Sequence, residues 1–85
     1  MSKTFRIDTP RYSYEYAQKL DQLNIQEGWN LEILDLEGDP YPSIIVKCSV
    51  LVIEELKKKN LMWVHGIKEW SDYILKLSND HIANI

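Results

Sequence analysis

Residues 29–48 read WNLEILDLEGDPYPSIIVKC, and this stretch decides the fold. Its first part, 29–37, alternates apolar and polar residues, as expected of a strand with one face in a core. Its last part, 43–48, contains three successive β-branched residues, which favours a second strand. The residues between them, GDPYP at 38–42, are the strongest turn signal in the chain. The stretch therefore predicts an antiparallel β-hairpin with strands at about 29–37 and 43–48.

The alternation in the first strand of this hairpin shifts by one position. Trp29, Leu31 and Ile33 share one phase, whereas Leu34 and Leu36 fall on the other face. A shift of this kind is typical of a β-bulge, so we expect a bulge within this strand.

On the N-terminal side of the hairpin, residues 4–8 alternate weakly and predict a short strand. The Thr-Pro pair at 9–10 suits the start of a helix, and apolar residues then recur at intervals of four, four and three. We expect a helix over about 10–24, with Gly28 as a stop signal. Tyrosines at alternate positions in 12–16 also fit a strand, so the start of this helix is open between residues 10 and 13.

On the C-terminal side of the hairpin, the period of the pattern changes to that of a helix. Ser49 is suited to cap the helix, and the charge order of residues 49–59 fits the helix dipole, because glutamates come early and lysines come late. We expect a second helix over about 49–59.

An apolar stripe from Trp63 to Leu77, at intervals of four, three, four and three, predicts a third helix. Gly66 interrupts the stripe, so this helix begins either at about 61 or at about 67 and ends near 79. If it begins at 67, residues 61–64 form a short extended segment.

Together these elements predict an α+β fold, in which a small antiparallel sheet with a central β-hairpin packs against two or three helices. The chain has 85 residues, of which 45% are hydrophobic, enough for one core and too apolar for intrinsic disorder. Residues 1–85 are therefore expected to form a single domain without a linker. A lone cysteine, no apolar run of membrane-spanning length and no signal-peptide pattern together indicate a cytoplasmic protein.

Catalytic and metal sites find little support in the residue pattern. Cys48 with His65 or His81 contains the groups of a thiolate dyad or a zinc site, but no two of them have the close spacing of paired ligands. The acids around Gly38 lack the spacing of a calcium loop, and the scattered glycines exclude a phosphate loop. We therefore expect no enzymatic activity, no metal and no cofactor.

The net charge of −3 is unevenly distributed along the chain. Residues 1–42 hold four basic and eight acidic side chains, whereas residues 43–85 hold six basic and five acidic ones. The acids near the hairpin are Glu27, Glu32, Asp35, Glu37 and Asp39. This pattern predicts an acidic hairpin that docks on a basic groove of another protein, and it argues against general nucleic-acid binding.

Three tryptophans and five tyrosines slightly exceed what so small a core needs. At a spacing of seven residues, Trp63 and Trp70 are expected on the same side of the third helix. Our interpretation is that they close the core over the sheet. The alternative is that they form the centre of an interface.

We therefore expect a non-enzymatic protein-interaction domain, a small inhibitor or regulatory adaptor of the kind made by phages, mobile elements or immunity systems. The candidate partner-binding residues are Asp35, Glu37, Asp39, Tyr41, Trp63 and Trp70. One alternative is a structural subunit or homo-oligomer, such as a homodimer, whose aromatic stripe packs against its own copy. A second is a small DNA-binding regulator, because Lys57–Lys59 and the last two predicted helices fit a helix-turn-helix, although the mixed charge of the last helix disfavours it.

Overall fold

The computed structural model of the chain describes residues 2–11, 13–38 and 41–70. Its elements are β1 (Ser2–Asp8), α1 (Ser13–Glu27), β2 (Glu32–Glu37), β3 (Ser43–Ser49), α2 (Val50–Lys58) and β4 (Gly66–Glu69). The four strands form one antiparallel sheet in the order β2-β3-β1-β4. This combination of element order and strand order is the ferredoxin-like, or split βαβ, arrangement.

The predicted α+β class, the β-hairpin and the first two helices are confirmed. The hairpin consists of β2 and β3, and β3 is central while β2 forms one edge of the sheet. The first helix begins at Ser13, within the range left open by the sequence, and runs three residues further than predicted, to Glu27. The second helix, Val50–Lys58, lies within the predicted range of 49–59.

The predicted third helix is wrong in the part that the structure describes. Gly66–Glu69 is strand β4, which pairs with the Phe5–Asp8 part of β1. The apolar spacing in this region fits a helix, but β1 carries buried residues whose backbone groups need a partner on this side, and β4 provides it. The remainder of the predicted helix, 71–79, lies outside the described residues.

Both helices pack on the same face of the sheet, which we call the helix face. Alternation along β1 and β3 directs Phe5, Ile7, Ile44, Val46 and Cys48 to this face. The core is completed by residues of the two helices and of the α1–β2 connection: Ala17, Leu20, Trp29, Leu31, Val52, Ile53 and Leu56.

Local hydrogen bonds fix the connections between these elements. Helix α1 ends at Gly28, whose φ of 65° is the left-handed conformation that closes many helices. The Asn24 side chain then holds Leu31, because its Oδ1 accepts from Leu31 N at 2.8 Å and its Nδ2 donates to Leu31 O at 3.0 Å. Trp29 Nε1 donates to Glu55 Oε2 at 2.6 Å and so joins the connection to α2.

Helix α2 begins as the sequence predicts. Ser49 Oγ accepts a hydrogen bond from Val52 N at 3.4 Å, which satisfies one of the free donors of the first turn. Among the described residues, no helix is long and apolar enough to cross a membrane.

Candidate interaction surface

Three acidic side chains of β2 form a row on the sheet face opposite the helices, which we call the second face. Each lies directly across from a β3 residue that alternation places on that face: Glu32 opposite Lys47, Asp35 opposite Ile45 and Glu37 opposite Ser43. Glu32 and Asp35 are exposed, and Glu37 is half-buried. We refer to Glu32, Asp35 and Glu37 as the acidic row.

The predicted β-bulge is confirmed, and it creates this row. The register between β2 and β3 shifts between Ile33 and Asp35, so Leu34 is the extra residue. In a regular strand Glu32 would share a face with Leu36, because side chains alternate at every position. With the bulge, Ile33 and Leu36 both lie opposite core residues of β3, and all three acids lie on the second face.

The position of the row at a sheet edge determines how a partner can reach it. β2 is an edge strand, and edge strands that carry charges and a bulge resist the addition of another strand. Contact with the acidic row would therefore be made through side chains. Asp39, the remaining acidic candidate, lies outside the described residues.

Two of the predicted aromatic residues surround Arg6 on the second face. Its guanidinium carbon lies 4.7 Å from the centroid of the Tyr41 ring and 4.8 Å from that of the Trp70 ring. Arg6 Nε donates to Asp8 Oδ1 at 3.1 Å, and Nη2 donates to Tyr41 O at 3.2 Å. With 7% of its side chain exposed, Arg6 is a buried link between three parts of the chain.

Trp63 lies on the other side of the sheet. It stacks on Tyr16 of α1, with ring centroids 5.5 Å apart and an angle of 17° between the planes, and it packs against the core cluster. The prediction that Trp63 and Trp70 share one side of a helix is therefore wrong. Because the Trp70 ring contacts Arg6 on the second face while Trp63 contacts Tyr16 on the helix face, the two rings are separated by the sheet.

The lone cysteine has the environment of a structural residue. Cys48 is buried in the core cluster, and burial raises the pKa of its thiol from 9.0 to about 11. A thiol with so high a pKa is a weak nucleophile at neutral pH. The described residues contain no group of three or more His, Cys, Asp or Glu arranged to hold a metal ion, and His81 lies outside them.

Sequence reasoning missed the contribution of Arg6. A charged residue between Phe5 and Ile7 in a strand is the pattern of a solvated face, so the local sequence gives no signal that Arg6 is buried. The identity of its partners could not be read locally, since Tyr41 and Trp70 are distant in the chain.

The chain matches no protein-family model, no curated protein and no solved structure.

Proposed function

We propose that this chain is a non-enzymatic protein-interaction domain, a small inhibitor or regulatory adaptor that binds a basic surface of another protein through the acidic row. The observation that carries the proposal is the bulge at Leu34, which brings Glu32, Asp35 and Glu37 onto one face of an edge strand, with Glu32 and Asp35 exposed. Within this class, we propose an inhibitor of the kind made by phages, mobile elements or immunity systems.

The spacing of the row suits recognition by basic side chains. Alternate residues of a strand are about 7 Å apart, so three carboxylates on one face present a line of negative charge. Such a line attracts a positive surface, raises the rate of encounter and sets the orientation of the bound partner. Lys47 lies opposite Glu32 at one end of the row.

A protein partner is favoured over a nucleic acid by the residues on the second face. Four-stranded sheets that bind RNA stack bases on aromatic side chains of the strands. The corresponding second-face positions of the central strands are Thr4, Arg6, Ile45 and Lys47, and the acidic row beside them would repel phosphates. The helix-turn-helix alternative is also disfavoured, because residues 66–69, which would belong to its second helix, form strand β4.

The test compares two variants of equal net charge in an affinity capture from the lysate of the native host. The row variant carries Glu32→Gln, Asp35→Asn and Glu37→Gln. The helix variant carries Glu15→Gln, Asp21→Asn and Glu54→Gln, which neutralise three exposed acids on the two helices.

We expect a protein that is captured by the wild type and the helix variant at 50 mM salt and recovered at least about tenfold less with the row variant. Its capture by the wild type should also decrease at 500 mM salt. Equal recovery with all three proteins would exclude the acidic row as the binding surface.

A further inference from the structure

The edge of the sheet opposite the acidic row borders a groove of about 210 Å³. Four aliphatic residues, Leu56, Leu61, Val64 and Ile67, line it together with Lys57, Asn60 and Gly66. The volume is below the roughly 300 to 1,000 Å³ typical of small-molecule sites, so the groove suits one or two side chains.

The strand beside the groove has hydrogen-bonding groups that point away from the sheet. β4 pairs with β1 on one side, and among the described residues no strand pairs with it on the other. Trp70 N donates to Thr4 O at 2.9 Å, so by alternation Lys68 also faces β1, and the backbone groups of Ile67 and Glu69 face outward. These outward groups can pair with an extended peptide.

The charge at this edge is opposite to that of the acidic row. Lys57 is exposed on the groove side of this edge, and Lys68, which lies opposite Arg6, is exposed on the second face. The carboxylate of Glu69 is paired with Lys3 Nζ at 3.7 Å. In a chain with a net charge of −3, this edge is therefore locally basic. A peptide with acidic side chains complements it.

We propose that the β4 edge and its groove bind an extended, acidic segment of a partner protein. The segment adds to β4 as a fifth strand, places one aliphatic side chain in the groove and places a carboxylate beside Lys57. Strand addition of this kind obtains affinity from main-chain hydrogen bonds and specificity from the side chain that enters the groove.

This surface is separate from the acidic row, and its existence does not depend on the proposed function. The two surfaces lie at opposite edges of one sheet and carry opposite charge. A domain with both could bridge two partners, one basic and one acidic.

The test is an NMR titration of the full ¹⁵N-labelled chain with the synthetic peptide acetyl-TLTET-amide, in which alternation places the leucine and the glutamate on the same face, compared with acetyl-TLTKT-amide. We expect the acidic peptide to bind with a Kd below about 1 mM and to shift the amide signals of Leu61, Val64 and 66–69. The basic peptide should bind at least about tenfold more weakly.

Two neighbouring lysines provide a matched pair of variants. Lys57→Glu, at the groove, should weaken binding of the acidic peptide about fivefold or more, whereas Lys58→Glu, outside the groove, should change it less than about twofold. Both lysines are exposed, so both variants should keep the fold. The row variant should bind this peptide as the wild type does, which separates this proposal from the previous one.

Lack of binding by the acidic peptide, equal binding of the two peptides or equal effects of the two lysine substitutions would each overturn the proposal. Amide shifts located on β2 instead of β4 would do so as well.

Discussion

Arg6 is a charged residue in the middle of a strand, and its surroundings explain how it can be buried there. Two aromatic rings lie within 5 Å of the guanidinium carbon, and Asp8 and the Tyr41 carbonyl oxygen accept hydrogen bonds from its nitrogens. The charge is thus compensated by groups that suit the planar shape of arginine. Lysine has a compact ammonium group and cannot make the same set of contacts.

We therefore predict that Arg6→Lys lowers the free energy of unfolding by about 2 kcal/mol and Arg6→Ala by about 3 kcal/mol or more, measured by urea denaturation. Lys19→Ala is the matched control, because Lys19 Nζ lies 5.4 Å from the centroid of a single ring, that of Tyr16, and the lysine is exposed. The control should lose less than about 1 kcal/mol. If the Arg6 and Lys19 substitutions lowered the free energy of unfolding equally, the burial of Arg6 beside two rings would not contribute to stability.

Cys48 predicts a specific dependence of stability on pH. Burial raises the pKa of its thiol from 9.0 to about 11, so above pH 9 the unfolded chain ionises this group while the native protein does not. The stability is complete below pH 9, decreases between about pH 9 and 11, and then levels off, with a total loss of about 2 to 3 kcal/mol.

Urea unfolding of the wild type and of Cys48→Ala at pH 8 to 11 measures this effect. Other groups titrate in both proteins, so the difference between the two curves isolates the thiol. The free energy of unfolding of the wild type should fall relative to that of Cys48→Ala as the pH rises from 9 to 11. Parallel curves would show that the native environment does not disfavour the thiolate.

At the scale of secondary-structure elements, the sequence predicted the elements whose formation depends on residues close together in the chain. The β2–β3 hairpin, its bulge and helix α2 follow from alternation, turn residues and caps close in sequence. Strand β4 could not be predicted from the sequence. Residues 66–69 lie within a stretch whose apolar spacing is helical, and they form a strand only because they pair with β1, which is distant in the chain. Distant pairing of this kind leaves no local pattern.

The bulge leads to a prediction about single-residue deletions in β2. Deletion of Leu34 leaves the order E-I-D-L-E, which alternates regularly and keeps the three acids on one face and Ile33 and Leu36 on the other. We expect it to lower the free energy of unfolding by no more than about 1.5 kcal/mol, since one half-buried leucine is lost.

Deletion of Leu36 is the matched control for this prediction. It moves Glu37 to the position opposite Ile44 on the helix face, or slides the hairpin, and should lower the free energy of unfolding by more than about 3 kcal/mol. Urea denaturation of both deletion variants measures the difference. If the two deletions were equally damaging, Leu34 would not be the extra residue of the bulge.

At the scale of the whole molecule, the sequence predicted the acidic half of the candidate site better than the rest. Asp35 and Glu37 lie where the hairpin pattern places them, because their position depends on one strand and its neighbour. The groove beside β4 and the rings around Arg6 combine residues from distant elements, so only the complete fold defines them. Trp63 packs against the core, which agrees with the interpretation that this tryptophan helps to close the core over the sheet.

The charge of the whole molecule gives a final prediction about the acidic row. Three carboxylates on one face repel each other in a chain whose net charge is −3, so a row kept for binding should reduce stability. The row variant and the helix variant remove the same total charge. We expect the row variant to melt a few degrees higher than the helix variant in 20 mM salt, and the two to converge in 1 M salt, where the screening length of about 3 Å is shorter than the spacing of the row. A row variant that melts lower than the helix variant at both salt concentrations would mean that these acids stabilise the sheet, for example through Lys47, and would remove the stability argument for a binding role.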